Sequence, residues 1–389
     1  MKLIIAAPHF HPRVGGVETY TLNLATRLTE QGWQVVVVTT GDRPGETVRA
    51  GLKTYQLPAA LTVSNTPVGA SWRRRLREIC LAERPDVING HTPVPFLADL
   101  AERASGPVPF VLTYHNDLYK DDLVGRAVVE TLQRTIVART LRRSTAIIAT
   151  SEHYVRESKY LKGHEAKIQV VPPGVDLDTF RPDVPVSADL AAAYAGRQVI
   201  MFAGSLNKSQ QYKGLDILIR AFARIRAESE NSRLVVLGQG DGLPAYLTLA
   251  ADAGVAADVD FPGFVPPARL AEYYRLATVF AMPSTNRTEG FGMVYAEAGA
   301  VGIPVIGARV GGVPSAVRDN ETGLLVTPKS VDDLYQALRR LLDNEALRRR
   351  LGAAGAARAR AELDWGTLAE RTSQILTTAR STRNAGLRG

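Results

Sequence analysis

The sequence predicts an α/β protein made of two doubly wound parallel-sheet domains, and three observations carry that expectation. Short runs rich in Val and Ile recur between helix-length segments. The runs are continuously apolar rather than alternating, as suits strands buried on both faces beneath covering helices. The series also stops at a proline-rich stretch near the middle of the chain and then starts again. A closed eight-stranded β/α barrel is the rival topology, but it gives no reason for that break. With 389 residues, 45% hydrophobic and 22% charged, the chain can bury two full cores.

In order, the first half offers KLIIAA at 2–7, QVVVVTT at 34–40, DVING at 86–90, PFVLTYH at 109–115, TAIIATS at 145–151 and IQVVPPG at 168–174 as strands. Helical patterns fill 17–31 and 123–143 between them. Residues 171–187 (VPPGVDLDTFRPDVPVS) have no helical period and read as a linker between domains spanning 1–175 and 186–365. The second half repeats the scheme with 198–205, 233–240, 259–263, 278–284 and 303–308. From about residue 366 a basic amphipathic helical pattern runs to the end, and it is expected to pack back on the N-terminal domain. Ligands in such folds bind beyond the C-terminal ends of the strands, so chemistry is to be sought in the loops that follow them.

No run approaches the ~18 apolar residues of a membrane-spanning helix. The N-terminus reads as a buried strand, since a signal peptide needs a longer apolar region and a cleavage site. A single cysteine, Cys80, excludes an internal disulfide and a thiolate metal cage and suits the cytoplasm. The net charge is +8, but residues 339–389 hold eleven Lys/Arg against five Asp/Glu. The rest of the chain is nearly balanced, which argues against a nucleic-acid groove.

The strongest motif is Glu289-Gly290-Phe291-Gly292-Met293-Val294-Tyr295-Ala296-Glu297, following the run at 278–284. Gly290 and Gly292 allow close backbone approach to a ligand, and the helix they open offers unpaired N–H groups to an anion. Glu289 can accept hydrogen bonds from sugar hydroxyls, and Glu297, two turns on, can reach a ribose diol. This pattern resembles the E-x7-E motif of the retaining glycosyltransferases of family 4, which have the GT-B fold: two Rossmann-like domains facing a central cleft. Gly15-Gly16-Val17-Glu18 resembles that family's glycine loop, and Val171-Pro-Pro-Gly-Val-Asp176 with Phe180 resembles its linker motif. Lys213-Gly214 with Leu218 and Ala221, Gly311-Gly312 and Gly323-Leu-Leu-Val326 complete a match from about residue 1 to 366.

The resemblance implies a nucleotide-diphosphate sugar held mainly by the C-terminal domain and an acceptor held mainly by the N-terminal one. It gives Lys213 the donor diphosphate, His115 the reacting sugar, Glu289 the donor hydroxyls, Glu297 the ribose and Val265 the base through its backbone. It makes Gly15, Gly16, Ser205, Lys208 and residues 290–294 part of the donor site, with transfer expected to retain configuration. One departure stands out: the family's Gly-Arg is Gly204-Ser205 here, which leaves Lys208 as the nearest replacement cation. No metal or other cofactor is expected, the nucleotide sugar being a co-substrate. Asp176-Leu-Asp178 and Asp258-Val-Asp260 imitate a metal-binding D-x-D without its context, and His9 and His11 lack further ligands. Gly238-Gln-Gly240-Asp-Gly242 lacks the spacing of a dinucleotide fingerprint.

The acceptor is less legible. His91, at another strand end, is a candidate contact, as are Asp117, Asp121 and Asp122, whose three carboxylates would favour an amine-bearing, aminoglycoside-like molecule. The run Trp72-Arg-Arg-Arg-Leu-Arg77 fits equally a solvated helix face, with Glu78 and Glu83 compensating, and a peripheral contact with the inner membrane face that would serve a lipid or polysaccharide acceptor. A GT-B nucleotide-sugar 2-epimerase and a non-catalytic nucleotide-binding module are the remaining rivals, and oligomeric state is open.

Overall fold

A computed structural model describes residues 1–63, 66–120 and 122–386, the last four of these by backbone only. The chain divides into two compact units, Met1–Pro173 with Trp365–Gly389, and Gly174–Asp364.

In the first unit the strands are β1 (Lys2–Ala6), β2 (Gln34–Gly41), β3 (Gly45–Arg49), β4 (Leu52–Pro58), β5 (Leu61–Val63), β6 (Thr66–Val68), β7 (Val87–His91), β8 (Phe110–Tyr114), β9 (Ala146–Ala149) and β10 (Ile168–Val170). Eight of them form one sheet in the order β10-β9-β8-β7-β1-β2-β4-β3. Pairing is parallel throughout, except that β3 lies antiparallel on β4. The even-numbered residues Ile4, Ala6, Val36, Val38, Ile88 and Leu112 enter one core cluster with Trp72, Leu76 and Ile79. Helix Gly16–Glu30 packs on helix Trp365–Gly386, which also meets β7, β8 and β9. Sidedness of this kind on fully buried strands is why the runs read as continuously apolar.

The second unit holds β11 (Gln198–Ala203), β12 (Ser232–Leu237), β13 (Val259–Gly263), β14 (Val279–Met282), β15 (Val305–Ala308) and β16 (Gly323–Val326). They form an all-parallel sheet ordered β13-β12-β11-β14-β15-β16. Because the chain winds outward from β11 in one direction and from β14 in the other, the order reverses between these two strands. In the first unit the reversal falls between β1 and β7. Such reversals open a crevice at the carboxyl ends of the strands.

Five expectations need correction. Residues 174–187, read as linker, already belong to the second unit, where Val175 and Phe180 are buried in its core. The single helix expected over 123–143 is helix Leu123–Leu132, a π-helical turn Gln133–Val137 and helix Ala138–Arg143. Strands β3 to β6 were not anticipated, since Gly45–Arg49 has no apolar run and Leu61–Val63 is exposed. Trp72 is no membrane-facing aromatic: it is fully buried, its indole N–H donating to Pro58 O at 2.7 Å. Glu83 takes Lys2 at 3.1 Å and Lys53 at 2.7 Å and, among the described residues, pairs with none of the arginines. Among the described residues no helix is long and apolar enough to cross a membrane.

Candidate functional site

In the second unit the motif residues collect at the strand reversal. Lys213 ends the 3-10 turn Lys208–Lys213 that follows β11, and Gly214 (φ +76°) turns the chain into helix Leu215–Glu228. A cation ahead of a helix opposes its dipole. Here the Glu289 carboxylate offsets it, with Lys213 Nζ 3.4 Å from Oε2. Met282 Sδ, 4.0 Å away, and the Tyr212 ring, centroid 5.6 Å away, complete the ammonium's surroundings. Gly204 lies beside them, where a Cβ would stand 3.0 Å from Lys213 Cδ and crowd the lysine side chain.

Glu289 is buried after β14, and its backbone is pinned by Gly312 N–H donating to Glu289 O at 2.8 Å. A Cβ on Gly312 would overlap the carbonyl of Gly290, so the two glycine loops touch backbone to backbone. Gly292 takes φ +85° and starts helix Met293–Ala300, aiming that helix's first amides at the space beside Glu289. Tyr295 braces this turn from below by donating to Met282 O. On the same helix Glu297 accepts from Tyr274 Oη at 3.2 Å, and burial pushes its carboxyl up to about 7. A cation, the Glu289 carboxylate and the helix start side by side suit an anionic ligand that also carries hydroxyls.

In the first unit the C-terminal ends of β7 and β8 bring His91 and His115 together, with His91 Nδ1 3.1 Å from His115 Nε2. His91 is completely buried and His115 is 8% exposed. Tyr20, from the helix that Gly15 and Gly16 open, stands edge-on to both rings at centroid distances of 5.8 and 4.8 Å. Burial holds both imidazoles far below the usual histidine range, His115 at about 3, so both are neutral.

The Glycosyltransferase Family 4 model matches residues 14–179, and the Glycosyl transferases group 1 model matches residues 191–358. Over 96% of this chain and 98% of its own length, the GDP-mannose-dependent alpha-(1-6)-phosphatidylinositol monomannoside mannosyltransferase of Mycobacterium tuberculosis is 30% identical. The chain is a family 4 glycosyltransferase. A D-inositol 3-phosphate glycosyltransferase of Streptomyces scabiei is 34% identical over 94% of this chain and 86% of its own length. Sucrose-phosphate synthase of Thermosynechococcus elongatus superposes with TM-score 0.79 over 98% of this chain and 99% of its own, at 23% identity. HepE of Anabaena, solved with UDP and glucose, does so with TM-score 0.79 over 97% and 100%, at 19% identity. The fold is therefore GT-B, and the protein is a glycosyltransferase that uses a nucleotide-diphosphate sugar.

Several expected site residues of the glycosyltransferase lie elsewhere or do other work. His91, expected to contact the acceptor, is completely buried and bonded to His115 and Asn89. Asp117 is buried as well, accepting from Tyr114 Oη at 2.6 Å and Ser158 Oγ at 2.7 Å, while its N–H donates to Tyr154 Oη at 2.7 Å. Asp122 caps helix Leu123–Leu132 by accepting from Gly125 N–H at 2.7 Å. Asp121 lies outside the described residues. Val265 is half-buried just beyond the C-terminal end of β13, the edge strand, two strands from the β11 end that Gly204 follows. The Lys208 backbone N–H donates to Asp241 Oδ1 at 2.7 Å, while its side chain is exposed and forms no ion pair among the described residues. Ser205 is exposed.

The lookalike motifs are structural. Asp258 binds Arg226 at 2.9 Å and Arg233 at 3.2 Å, and Asp176 accepts from Thr179 Oγ1 at 2.7 Å. Gly238, Gly240 and Gly242 let their loop press against the backbone of Gly204–Asn207. Sequence reasoning missed Tyr20, Asn89, Tyr212 and Tyr274. Only Tyr20 had a readable signal, one helical turn beyond Gly16 on the face that turns inward.

Proposed function

We propose that this glycosyltransferase moves a mannosyl residue from GDP-mannose to a hydroxyl of an inositol-bearing acceptor, with retention of configuration and without a divalent metal. The observation that carries the reading is the Lys213–Glu289 pair beneath the glycine turn at the strand reversal of the second unit. In this reading the diphosphate displaces Glu289 as the partner of Lys213 and receives the Met293 helix amides. That frees the carboxylate for the hydroxyls of the sugar. The bond from the anomeric carbon to the β-phosphate oxygen breaks, and Lys213 stabilises the charge that builds on the leaving group. The acceptor oxygen bonds the anomeric carbon on the same face and passes its proton to the departing phosphate. His115 contacts the sugar, and Glu297 holds the ribose.

Donor and acceptor are drawn from the relatives, whose names specify GDP-mannose, phosphatidylinositol monomannoside and inositol 3-phosphate. The aminoglycoside-like acceptor rested on three carboxylates, and Asp117 and Asp122 are already engaged. The test is incubation with GDP-mannose or UDP-glucose against phosphatidylinositol monomannoside vesicles and soluble inositol phosphate, with products read by mass. Mannosylated product from GDP-mannose alone is expected, with kcat falling by about 10²-fold or more in Lys213→Ala. Transfer only from UDP-glucose, or epimerised donor without transfer, would defeat the reading.

A further inference from the structure

The hydrogen bonds behind His115 decide which of its ring nitrogens carries the proton. They begin at a main-chain carbonyl, Val111 O, which can only accept. Asn89 Nδ2 donates to it at 3.0 Å and to Thr113 Oγ1 at 2.9 Å, so Asn89 Oδ1 is turned toward His91. His91 Nε2 lies 3.0 Å from that oxygen and must hold a proton to bond it. A neutral ring carries one proton, so His91 Nδ1 is a bare acceptor facing His115 Nε2 at 3.1 Å. His115 Nε2 is then the donor, and His115 Nδ1 keeps its lone pair. Thr21 does not reverse the order, since its hydroxyl proton goes to Val17 O at 2.7 Å and its oxygen stands 3.5 Å from His91 Nδ1. Among the described residues no carboxylate is a hydrogen-bond partner of either ring, so no neighbouring anion draws a second proton onto the pair.

We infer that Asn89 and His91 are positioning residues whose relay fixes the His115 ring as a hydrogen-bond acceptor at Nδ1, so that it takes a hydroxyl of the bound sugar instead of donating to a sugar oxygen. The sugar contact rests on the proposed function, whereas the relay stands on this unit's own geometry. Two adjacent strands, β7 and β8, contribute to it, and Tyr20 packs against both rings, which is why a two-residue step along one strand (Asn89 to His91) can feed a ring on the next.

Two measurements on the full chain test it. Long-range proton–nitrogen spectra of histidine-labelled protein at neutral pH should show both rings protonated at Nε2 alone, and an Nδ1-protonated or charged His115 overturns the inference. The second is kinetic. His91→Phe keeps a ring in the cavity but offers His115 no acceptor, and kcat should fall by up to roughly tenfold, one hydrogen bond's worth of orientation, with GDP affinity unchanged. His91→Gln can donate to Asn89 and accept from His115, so it should recover most of that loss. An unchanged kcat in His91→Phe, or equal losses in folded Phe and Gln variants, overturns the positioning role. Should the wild-type chain transfer no sugar at all, the spectra still decide the relay and the failure falls on the proposed function.

Discussion

Glu297 keeps its proton to a higher pH in the folded protein than a free carboxyl does. Its carboxyl is desolvated beside Tyr274, which raises its pKa from 4.5 to about 7. Between those values the folded protein holds a proton that the unfolded chain has lost, so stability falls as pH rises through that window. Glu297→Gln removes the titration. Without nucleotide, its Tm should match wild type near about pH 4 and exceed it near about pH 8. If Glu297 holds the ribose as proposed, hydroxyls donating to the carboxylate favour its charged form, so GDP should release protons on binding around neutrality, and the Gln variant should bind more weakly with no release. Calorimetric titration in two buffers of different ionisation enthalpy reads both effects. Equal GDP affinity in the two proteins would take Glu297 away from the ribose.

At the scale of elements, the proposed donor crevice depends on two loops that touch through glycine backbones. Gly312→Ala drives a methyl into the Gly290 carbonyl while the Gly312 N–H still has to reach Glu289 O. Overpacking of this kind destabilises by about 1–3 kcal/mol, and the loop that must give way is the one carrying Glu289. Denaturant unfolding should show that loss, and kcat/KM should drop more than stability does. A variant with normal turnover would mean the loop contact is dispensable. This contact was only half legible in the sequence. The E-x7-E spacing and Gly311-Gly312 announce ligand loops, but that one loop rests on the other is a long-range fact. The buried strands were readable because their apolar runs are continuous, whereas β3, at the sheet edge, leaves no such run. Trp72 with Leu76 and Ile79 has core-facing helical spacing, yet the arginines between them disguised it as a basic patch. Asp117 misled for a related reason, since its partner Ser158 lies 41 residues away.

At the scale of the whole molecule, sequence order and spatial order part company at Trp365. Helix Trp365–Gly386 follows the second unit in the chain but belongs to the first. There Trp365 packs edge-on against Tyr20 at 5.3 Å, the residue that also braces His115, and Ser373 Oγ accepts from Trp33 Nε1 at 2.9 Å. Arg380 reaches Asp86 at 3.2 Å, and Arg371 donates to Val170 O at 2.9 Å. A chain ending at Asp364 would leave uncovered the surfaces that now bury Trp365, Leu368, Ile375 and Leu376. Each large apolar side chain contributes roughly 1.5–3 kcal/mol when fully buried. Together they rival the ~5–15 kcal/mol that holds a typical domain folded. The truncated protein should therefore lose amide protection in β7, β8 and β9, although the cut is adjacent in sequence to the second unit. Strands β11 to β16 should keep their protection, and GDP should still stabilise them by mass action. Hydrogen exchange with and without GDP resolves the two sets of strands. Loss of protection spread evenly over both sheets would mean that the units unfold as one cooperative body, and that the last helix supports the donor crevice as much as it supports His115.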